Sequence, residues 1–213
     1  MQKHKKGRRP ARVEATIDRI TGTTLNLMLK QGADSLSISE ICREAAVARP
    51  TLYRHFPTLD AVLEGVFLRI KAEFDRGLAE AIGNDPDPAR RARILADYLD
   101  AHLRSGRTQQ LFISNPQFSI ALIGRFFDNR AALYREILDP YWDLFEGVTG
   151  SRVDREEAAR LLNHYYVSLN IQTAVGSPSK DPGGNLLRFI RMLGTLSPTD
   201  RECDKPPQAR EGK

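Results

Sequence analysis

The residues best suited to chemistry lie in one short stretch of the chain, from Ser37 to Phe56. They are hydroxyls and cations rather than groups typical of catalysis. The second half of the stretch surrounds one apolar residue, Leu52, with polar and basic neighbours: Arg49, Thr51, Tyr53, Arg54 and His55. Hydroxyls and cations on a short exposed helix suit the phosphate oxygens and base edges of DNA.

We therefore predict that this stretch binds DNA in the major groove. Arg49 and Arg54 are the candidates for base edges, and Pro50 is a candidate for an apolar base contact. The candidates for phosphate contacts are Ser37, Ser39, Thr51, Tyr53 and His55. For Tyr53 and His55 the alternative is a packing role.

Two helices joined by a short turn would position these side chains. Ser37 can cap the first helix, and Glu40 stands three residues on, where it would complete a capping box. Apolar residues then recur at helical spacing, at Ile38, Ile41, Cys42 and Ala45. Small residues at 46–48 form the turn. Pro57 ends the second helix, because the residue before a proline is driven out of the α region.

This pattern resembles a known family of DNA-binding domains. The sequence TLYRHFP at residues 51–57, preceded by ICREAAV at residues 41–47, is similar to the DNA-binding domain of the tetracycline-repressor (TetR) family. The match covers about residues 12 to 65. The resemblance implies an all-α fold, a dimer and, in most of the family, repression of transcription until a small ligand releases the protein from DNA.

Four positions depart from the family pattern. Ala46 stands where glycine is usual, and a left-handed alanine would cost about 1–2 kcal/mol. Ala48 replaces the usual Ser or Thr cap, so a phosphate or N–H partner is missing. Pro50 replaces a common Gly, and Leu59 replaces a common Lys that touches the DNA backbone. These departures affect the set of contacts, not the fold.

The positive charge of the chain lies near this motif. Residues 1–60 hold 11 Lys and Arg against 6 Asp and Glu, a net +5, whereas residues 61–213 hold 21 of each. A basic arm begins the chain, with Lys5, Lys6, Arg8 and Arg9 as further DNA-binding candidates. Such an arm suits a polyanion through counterion release. The alternative is a solvated, disordered leader.

Apolar periodicity predicts helices along most of the chain. The expected helices outside the motif are 12–30, a long one from the Thr58 cap to about Ile82, 88–105, 109–114, one from Asn115–Pro116, 129–145 (separate from it or continuous with it), 154–175 and 185–196. We expect Gly106 to end the helix before it. No strand is convincing.

We therefore predict an all-α protein with two domains. The expected divisions are a disordered basic arm at 1–11, a three-helix helix-turn-helix domain at 12–60, a larger helical effector-binding and dimerisation domain at 61–196, and a disordered tail at 197–213.

The resemblance implies an effector pocket in the larger domain. The candidate lining residues are Tyr98, His102, Phe112, Phe118, Phe126, Tyr141 and Trp142. An apolar cavity with a few oriented polar groups is typical of a small-molecule site. For each residue the alternative is that it fills the core. The absence of a basic cluster inside would favour a hydrophobic or aromatic compound.

The apolar stripes of the last two predicted helices indicate either a dimer interface or an intramolecular core. Two groove-reading helices need half-sites about 34 Å apart. In the family the last two helices pair with their copies as a four-helix bundle. We therefore predict a homodimer through residues 154–196.

Other protein classes are disfavoured. The four histidines follow no metal-ligand spacing, and neither a GxSxG frame nor a glycine-rich loop after a strand is present, so we predict no enzyme, cofactor or metal. The two cysteines suit no disulfide framework. No apolar run is long enough for a membrane span and no secretory signal is present, which predicts a cytoplasmic protein. A ligand-independent architectural DNA-binding protein without a pocket stays open as the alternative.

Overall fold

The computed structural model describes residues 8–177 and 179–195, and its regular elements there are all helical. The helices are α1 (Arg8–Gln31), α2 (Ile38–Glu44), α3 (Arg49–His55), α4 (Leu59–Ile82), α5 (Pro88–Arg104), α6 (Gly106–Ser114), α7 (Pro116–Thr149), α8 (Arg155–Ala174) and α9 (Pro182–Leu193), with a 3-10 turn (Ala33–Ser35) between α1 and α2. The all-α prediction is confirmed.

Side-chain caps fix the starts of several helices where the sequence predicts them. The Ser37 hydroxyl oxygen accepts from the backbone N–H of Glu40 at 3.2 Å, and that of Thr58 accepts from the N–H of Ala61 at 3.1 Å. Asp154 caps α8 in the same way. The Glu40 carboxylate, however, accepts from the Gln31 amide at 2.9 Å, so it is engaged outside the expected capping box.

Several helix ends differ from the prediction. The first helix begins at Arg8, so residues 8–11 of the expected disordered arm are helical; residues 1–7 and the expected tail lie outside the described residues. Gly106 begins α6 instead of ending the helix before it. The helix α7 runs unbroken through Pro140. The last helix begins at Pro182, because the Asp181 carboxylate accepts from the third residue of that helix.

Buried side chains form two apolar cores. The N-terminal core joins α1, α2, α3, the start of α4, α6 and the start of α7; it includes Ile20, Leu25, Met28, Ile41, Leu52, Val62, Val66, Leu111, Phe118, Leu122 and Phe126. The C-terminal core joins the end of α4, α5, the rest of α7, α8 and α9; it includes Phe74, Leu78, Leu95, Leu99, Tyr134, Leu138, Trp142, Leu162, Tyr166, Leu186 and Ile190. Since α4 and α7 contribute to both cores, these two helices link the halves of the protein.

Candidate functional site

The predicted DNA-binding side chains lie together on α2 and α3. Ser37, Ser39, Arg49, Pro50, Tyr53 and Arg54 are exposed, and Thr51 and His55 are half-buried. We call these eight residues the reading surface. Its anchor is Leu52, which is 0% exposed and packs in the N-terminal core. One buried residue therefore holds a helix whose other side chains face outward.

Contacts at the start of α3 orient the first arginine. The Arg49 guanidinium donates to the Ser39 hydroxyl on α2, which ties the two helices together at the surface. Pro50 lies in the first turn, where its missing N–H needs no partner. Ala48 supplies no side-chain cap, and its carbonyl accepts from the N–H groups of Thr51 and Leu52 at 2.9 and 3.1 Å.

The basic arm is only partly described. Arg8 and Arg9 lie in the first turn of α1, and Lys5 and Lys6 lie outside the described residues. The DNA-binding assignment of these four residues stays a prediction.

The turn between α2 and α3 contains a strained residue. Ala46 has φ 49°, and among the described residues it is the one non-glycine residue with positive φ. The N–H of Val47 donates to the carbonyl of Cys42 at 3.0 Å, which closes the turn. The left-handed conformation therefore falls at the position where the TetR pattern usually has glycine.

A cavity of about 230 Å³ lies between the two cores. Its wall includes Leu25, Leu29, Ile70, Glu73, Phe74, Tyr98, His102, Ser105, Arg107, Thr108, Leu111, Phe112, Leu122, Ile123, Arg130, Tyr166, Val167 and Asn170. Helices α1 and α4 thus share the cavity with α5, α6, α7 and α8. Of the predicted pocket residues, Tyr98, His102 and Phe112 line it.

The other four predicted pocket residues pack elsewhere. Phe118 stacks on Phe67 with ring centroids 4.1 Å apart, and Phe126 is buried in the same N-terminal core. Tyr141 and Trp142 pack in the C-terminal core. The sequence could not separate these aromatic residues from the cavity wall, because α7 buries different faces against different neighbours along its length.

The polar centre of the cavity is a histidine paired with a tyrosine. The ring Nδ1 of His102 lies 2.8 Å from the hydroxyl of Tyr166. Burial, followed by the positive charges of Arg130 and Arg107, lowers the pKa of His102 to about 4. Burial raises the pKa of Tyr166 to about 12. At neutral pH both groups are therefore uncharged and available for hydrogen bonding.

Arg130 is a charged residue of the cavity wall that the sequence analysis did not predict. Its guanidinium carbon lies 4.4 Å from the centroid of the Phe74 ring and 5.9 Å from that of Tyr166. A planar cation over an aromatic face is electrostatically favourable. Arg130 lies on α7 within a sequence of mixed charges, DNRAALYRE, and no local pattern distinguishes it from its exposed neighbours.

Other polar groups of the wall are bonded to neighbours within the protein. Glu73 forms salt bridges with Arg69 at 2.8 Å and with Arg107 at 3.2 Å. The Tyr98 hydroxyl donates to the backbone carbonyl of Phe74 at 2.9 Å. These groups are already satisfied within the protein, so they hold the wall in place.

Asn115 connects the cavity helices to the DNA-binding half. It lies between α6 and α7 and is 4% exposed. Its Oδ1 accepts from the N–H of Ala33 at 2.6 Å, and its Nδ2 donates to the carbonyl of Met28 at 3.0 Å. A second link is the salt bridge between Arg125 on α7 and Glu64 on α4, at 2.5 Å. A shift of α6 would therefore act directly on the end of α1.

A family model matches the part of the chain that carries the reading surface. Residues 20–66, which span the second half of α1, both helices of the reading surface and the start of α4, match the model of bacterial regulatory proteins of the tetR family. This segment is therefore similar to the DNA-binding domain of that family. No sequence among the curated proteins matches the chain.

Solved structures extend the likeness to the whole TetR fold. The chain is similar to the reduced form of Escherichia coli NemR, with 16% identity, a TM-score of 0.63 and coverage of 84% of this chain and 96% of that one. It is also similar to a TetR-family transcriptional regulator from Pectobacterium atrosepticum, with 18% identity, a TM-score of 0.59 and coverage of 87% of this chain and 94% of that one. A third similar structure is RolR in complex with resorcinol, with 21% identity, a TM-score of 0.56 and coverage of 92% of this chain and 97% of that one. The protein has the fold of a TetR-family transcriptional regulator.

The last two helices of this TetR fold leave apolar side chains at the surface. Ile171 on α8 is 51% exposed, Val175 directly after α8 is 72% exposed, and Met192 on α9 is 49% exposed. Tyr165 on α8 stacks on Phe189 on α9 with ring centroids 4.4 Å apart, which joins the two helices. Across the described residues, no helix combines the length and apolar character that crossing a membrane requires.

Proposed function

We propose that the protein is a cytoplasmic, homodimeric transcriptional repressor that leaves its operator when a small hydrophobic effector enters the cavity. The observation that carries this proposal is the position of the cavity between the two cores. Leu25 on α1 and Ile70 and Phe74 on α4 belong to its wall. A molecule in the cavity would contact the same helices that support the reading surface.

The DNA-binding step rests on the chemistry of the reading surface. Arg49 and Arg54 are exposed and carry the planar donor groups that suit guanine edges in the major groove. Ser37 and Ser39 precede and begin α2, where their hydroxyls suit phosphate oxygens. Residues 12–60 would therefore carry DNA recognition, and residues 61–196 would carry effector binding and dimerisation.

The proposed dimer forms through residues 154–196. Two recognition helices must lie about 34 Å apart to read successive turns of one DNA face. The exposed side chains of Ile171, Val175 and Met192 supply apolar surface on α8 and α9 that a second copy would cover. Pairing of these helices would set the distance between the two reading surfaces.

The proposed release is mechanical. An effector that separates the two cores would tilt α4 and, through α6 and Asn115, pull on the end of α1. Each dimer then presents its reading surfaces at a different spacing. A coupling of about 1–3 kcal/mol between effector and operator is sufficient for regulation.

The architectural alternative requires no effector pocket. The cavity of about 230 Å³, with apolar walls and the His102–Tyr166 pair at its centre, favours a ligand-responsive regulator instead. The structural neighbour RolR was crystallised with resorcinol, a small aromatic molecule. A compound of similar size would fit the space available here.

Operator binding tests the DNA-binding half of the proposal. Genomic fragments retained by the purified protein are sequenced, and the dissociation constant for the recovered site is measured with Arg54→Ala and Tyr53→Ala. A lost base contact costs about 1–3 kcal/mol, so Arg54→Ala should weaken binding about 5- to 150-fold. Arg93→Ala, which removes an exposed arginine from α5, is the control. If both variants bind the site as tightly as the parent, α3 is not the reading helix.

The dimer has its own test. Ile171→Glu places a charge on the exposed face of α8 and should convert the protein to a monomer with weak operator affinity. Ile120→Glu makes the same change on α7, at a side chain that is 70% exposed, and should leave the dimer intact. Light scattering after size-exclusion chromatography measures both. A dimer that survives Ile171→Glu and dissociates with Ile120→Glu would place the interface elsewhere.

A further inference from the structure

The charges of the cavity wall do not cancel. Glu73 is paired with two arginines, Arg69 and Arg107. Arg130 forms no salt bridge with any carboxylate in residues 8–177 and 179–195, although it shares the wall with Glu73. The wall therefore carries one cation whose charge has no local counter-ion.

The apolar contacts of Arg130 leave its donors available. The guanidinium carbon lies over the Phe74 ring, 4.4 Å from its centroid, and the residue is part of the cavity wall. A guanidinium donates through the N–H groups along its edge, and that edge matches the two oxygens of a carboxylate. A guanidinium held over a ring can therefore still donate hydrogen bonds to an anion.

We propose that the effector is a small aromatic carboxylate whose anionic oxygens bind Arg130. Its ring would lie among Phe74, Phe112 and Leu122, which line the same cavity. This inference rests on the proposed function, since it names the chemical class of the effector for that site. It goes beyond a hydrophobic compound of unspecified charge.

The size of the cavity limits the aromatic part of the ligand. An apolar cavity of about 150 Å³ holds benzene. A space of about 230 Å³ has room for a substituted single ring or a compact fused pair.

The His102–Tyr166 pair provides a second polar contact without a competing charge. Because His102 is neutral above about pH 5, it neither repels nor attracts the carboxylate electrostatically at neutral pH. Since Arg107 is paired with Glu73 on the same wall, the unpaired charge of Arg130 then determines the preference for an anion. The affinity for an aromatic carboxylate should accordingly change little between pH 6 and pH 8.

Matched pairs of acids and amides test this inference on the full-length protein. Isothermal titration calorimetry at pH 7.5 compares benzoate with benzamide and 1-naphthoate with 1-naphthamide, which differ in charge and hardly in shape. The variants are Arg130→Gln, which removes the charge, and Arg130→Lys, which keeps it. The control is Arg135→Gln, an exposed arginine on the same helix outside the cavity wall.

We expect the parent and the Arg135→Gln variant to bind each acid at least about ten-fold more tightly than its amide. Arg130→Gln should abolish that preference while it leaves amide affinity unchanged, and Arg130→Lys should restore part of it. Thermal melting of each variant checks that the fold is kept. Equal affinity of the parent for acids and amides, or a preference that survives Arg130→Gln, would overturn the inference.

The remaining outcomes separate this inference from the proposed function. If only the amides bind, the anionic class is wrong and the cavity still serves as an effector site. If neither series binds, the aromatic carboxylate is excluded as the effector. Release of the operator by uncharged aliphatic compounds then tests the proposed function, effector-controlled repression, without the aromatic carboxylate. If the acids bind through Arg130 and operator affinity stays unchanged, the binding class stands and effector-controlled repression falls.

Discussion

The reading surface and the cavity are built in opposite ways. The reading surface occupies one stretch of two short helices and depends on a single buried anchor, Leu52. The cavity collects its wall from six helices, between Leu25 on α1 and Asn170 on α8. A function carried by consecutive residues leaves a pattern in the sequence, whereas a site assembled across the fold leaves only scattered candidates.

The largest expected effect comes from removing the buried anchor of the reading surface, which should impair that region and spare the cavity. Leu52→Ala removes the one buried side chain of α3 and should lower the free energy of unfolding by about 2–5 kcal/mol. We expect operator binding to be lost in the folded protein while cavity ligands still bind. Urea denaturation and operator titration measure the two effects.

Leu162→Ala is the matched control, because Leu162 is also fully buried but lies in the C-terminal core. It should destabilise the protein to a similar extent and spare operator binding under folding conditions. An equal loss of operator affinity in both variants would contradict the separation of the two regions.

The next effect concerns the connection between the regions. Asn115→Ala removes two hydrogen bonds, one to Met28 in the last turn of α1 and one to Ala33 in the 3-10 turn that follows. Each is worth about 0.5–1.5 kcal/mol, so stability should fall by about 1–3 kcal/mol. Ligands should still bind the cavity, but they should weaken operator binding less than in the parent. Asn129→Ala, at an exposed position of α7, should alter neither property. If cavity ligands weaken operator binding by Asn115→Ala as much as by the parent, the Asn115 hydrogen bonds do not connect the cavity to the reading surface.

The pH dependence of stability is an effect confined to the cavity. Between pH 6.5 and pH 4 the unfolded state protonates His102 while the folded state keeps it neutral, since its pKa is about 4 in the fold. The unfolded state then binds more protons, so stability falls as the pH falls through this range.

When the pH falls from 6.5 to 5, the free energy of unfolding of the parent should decrease by about 1 to 2 kcal/mol more than that of the His102→Gln variant. Denaturant unfolding at the two pH values gives this difference directly, and His164→Gln, at an exposed position, should behave like the parent. A parallel decline of the parent and His102→Gln would show that His102 is protonated in the folded cavity.

The smallest effect lies in the turn beside the reading surface. Ala46 is left-handed, so Ala46→Gly should relieve strain and stabilise the protein by about 1 kcal/mol. The same substitution at Ala72, an exposed position inside α4, should destabilise by about 1 kcal/mol. Thermal unfolding of both variants shows whether Ala46→Gly raises stability while Ala72→Gly lowers it. A loss of stability in Ala46→Gly would mean that the methyl group contributes more than the backbone strain costs.

Helix caps and a proline stop in the sequence predicted where the two helices of the helix-turn-helix and the following helix lie. The cap at Ser37, the stop at Pro57 and the cap at Thr58 bound α2, α3 and α4 where the sequence predicts them. Ala46 could be flagged from the TetR pattern alone, because the glycine expected there has a conformational reason.

The cavity wall could not be predicted in the same way. Phe118 and Phe126 resemble Phe112 in type and spacing, yet α7 packs them into the N-terminal core, and only α6 presents Phe112 to the cavity. Arg130 looks like any surface arginine until Phe74, 56 positions earlier, is brought beneath it. Such contacts depend on the packing of distant helices, which a single sequence does not encode locally.

Thermodynamic linkage between the cavity and the operator tests the central claim most directly. Fluorescence anisotropy with the recovered operator gives its dissociation constant with and without a saturating amount of the tightest cavity ligand. A coupling of about 1–3 kcal/mol predicts a five- to 150-fold weaker operator affinity, and the operator must weaken ligand binding by the same factor. An operator affinity that does not change when the cavity is saturated would contradict the account.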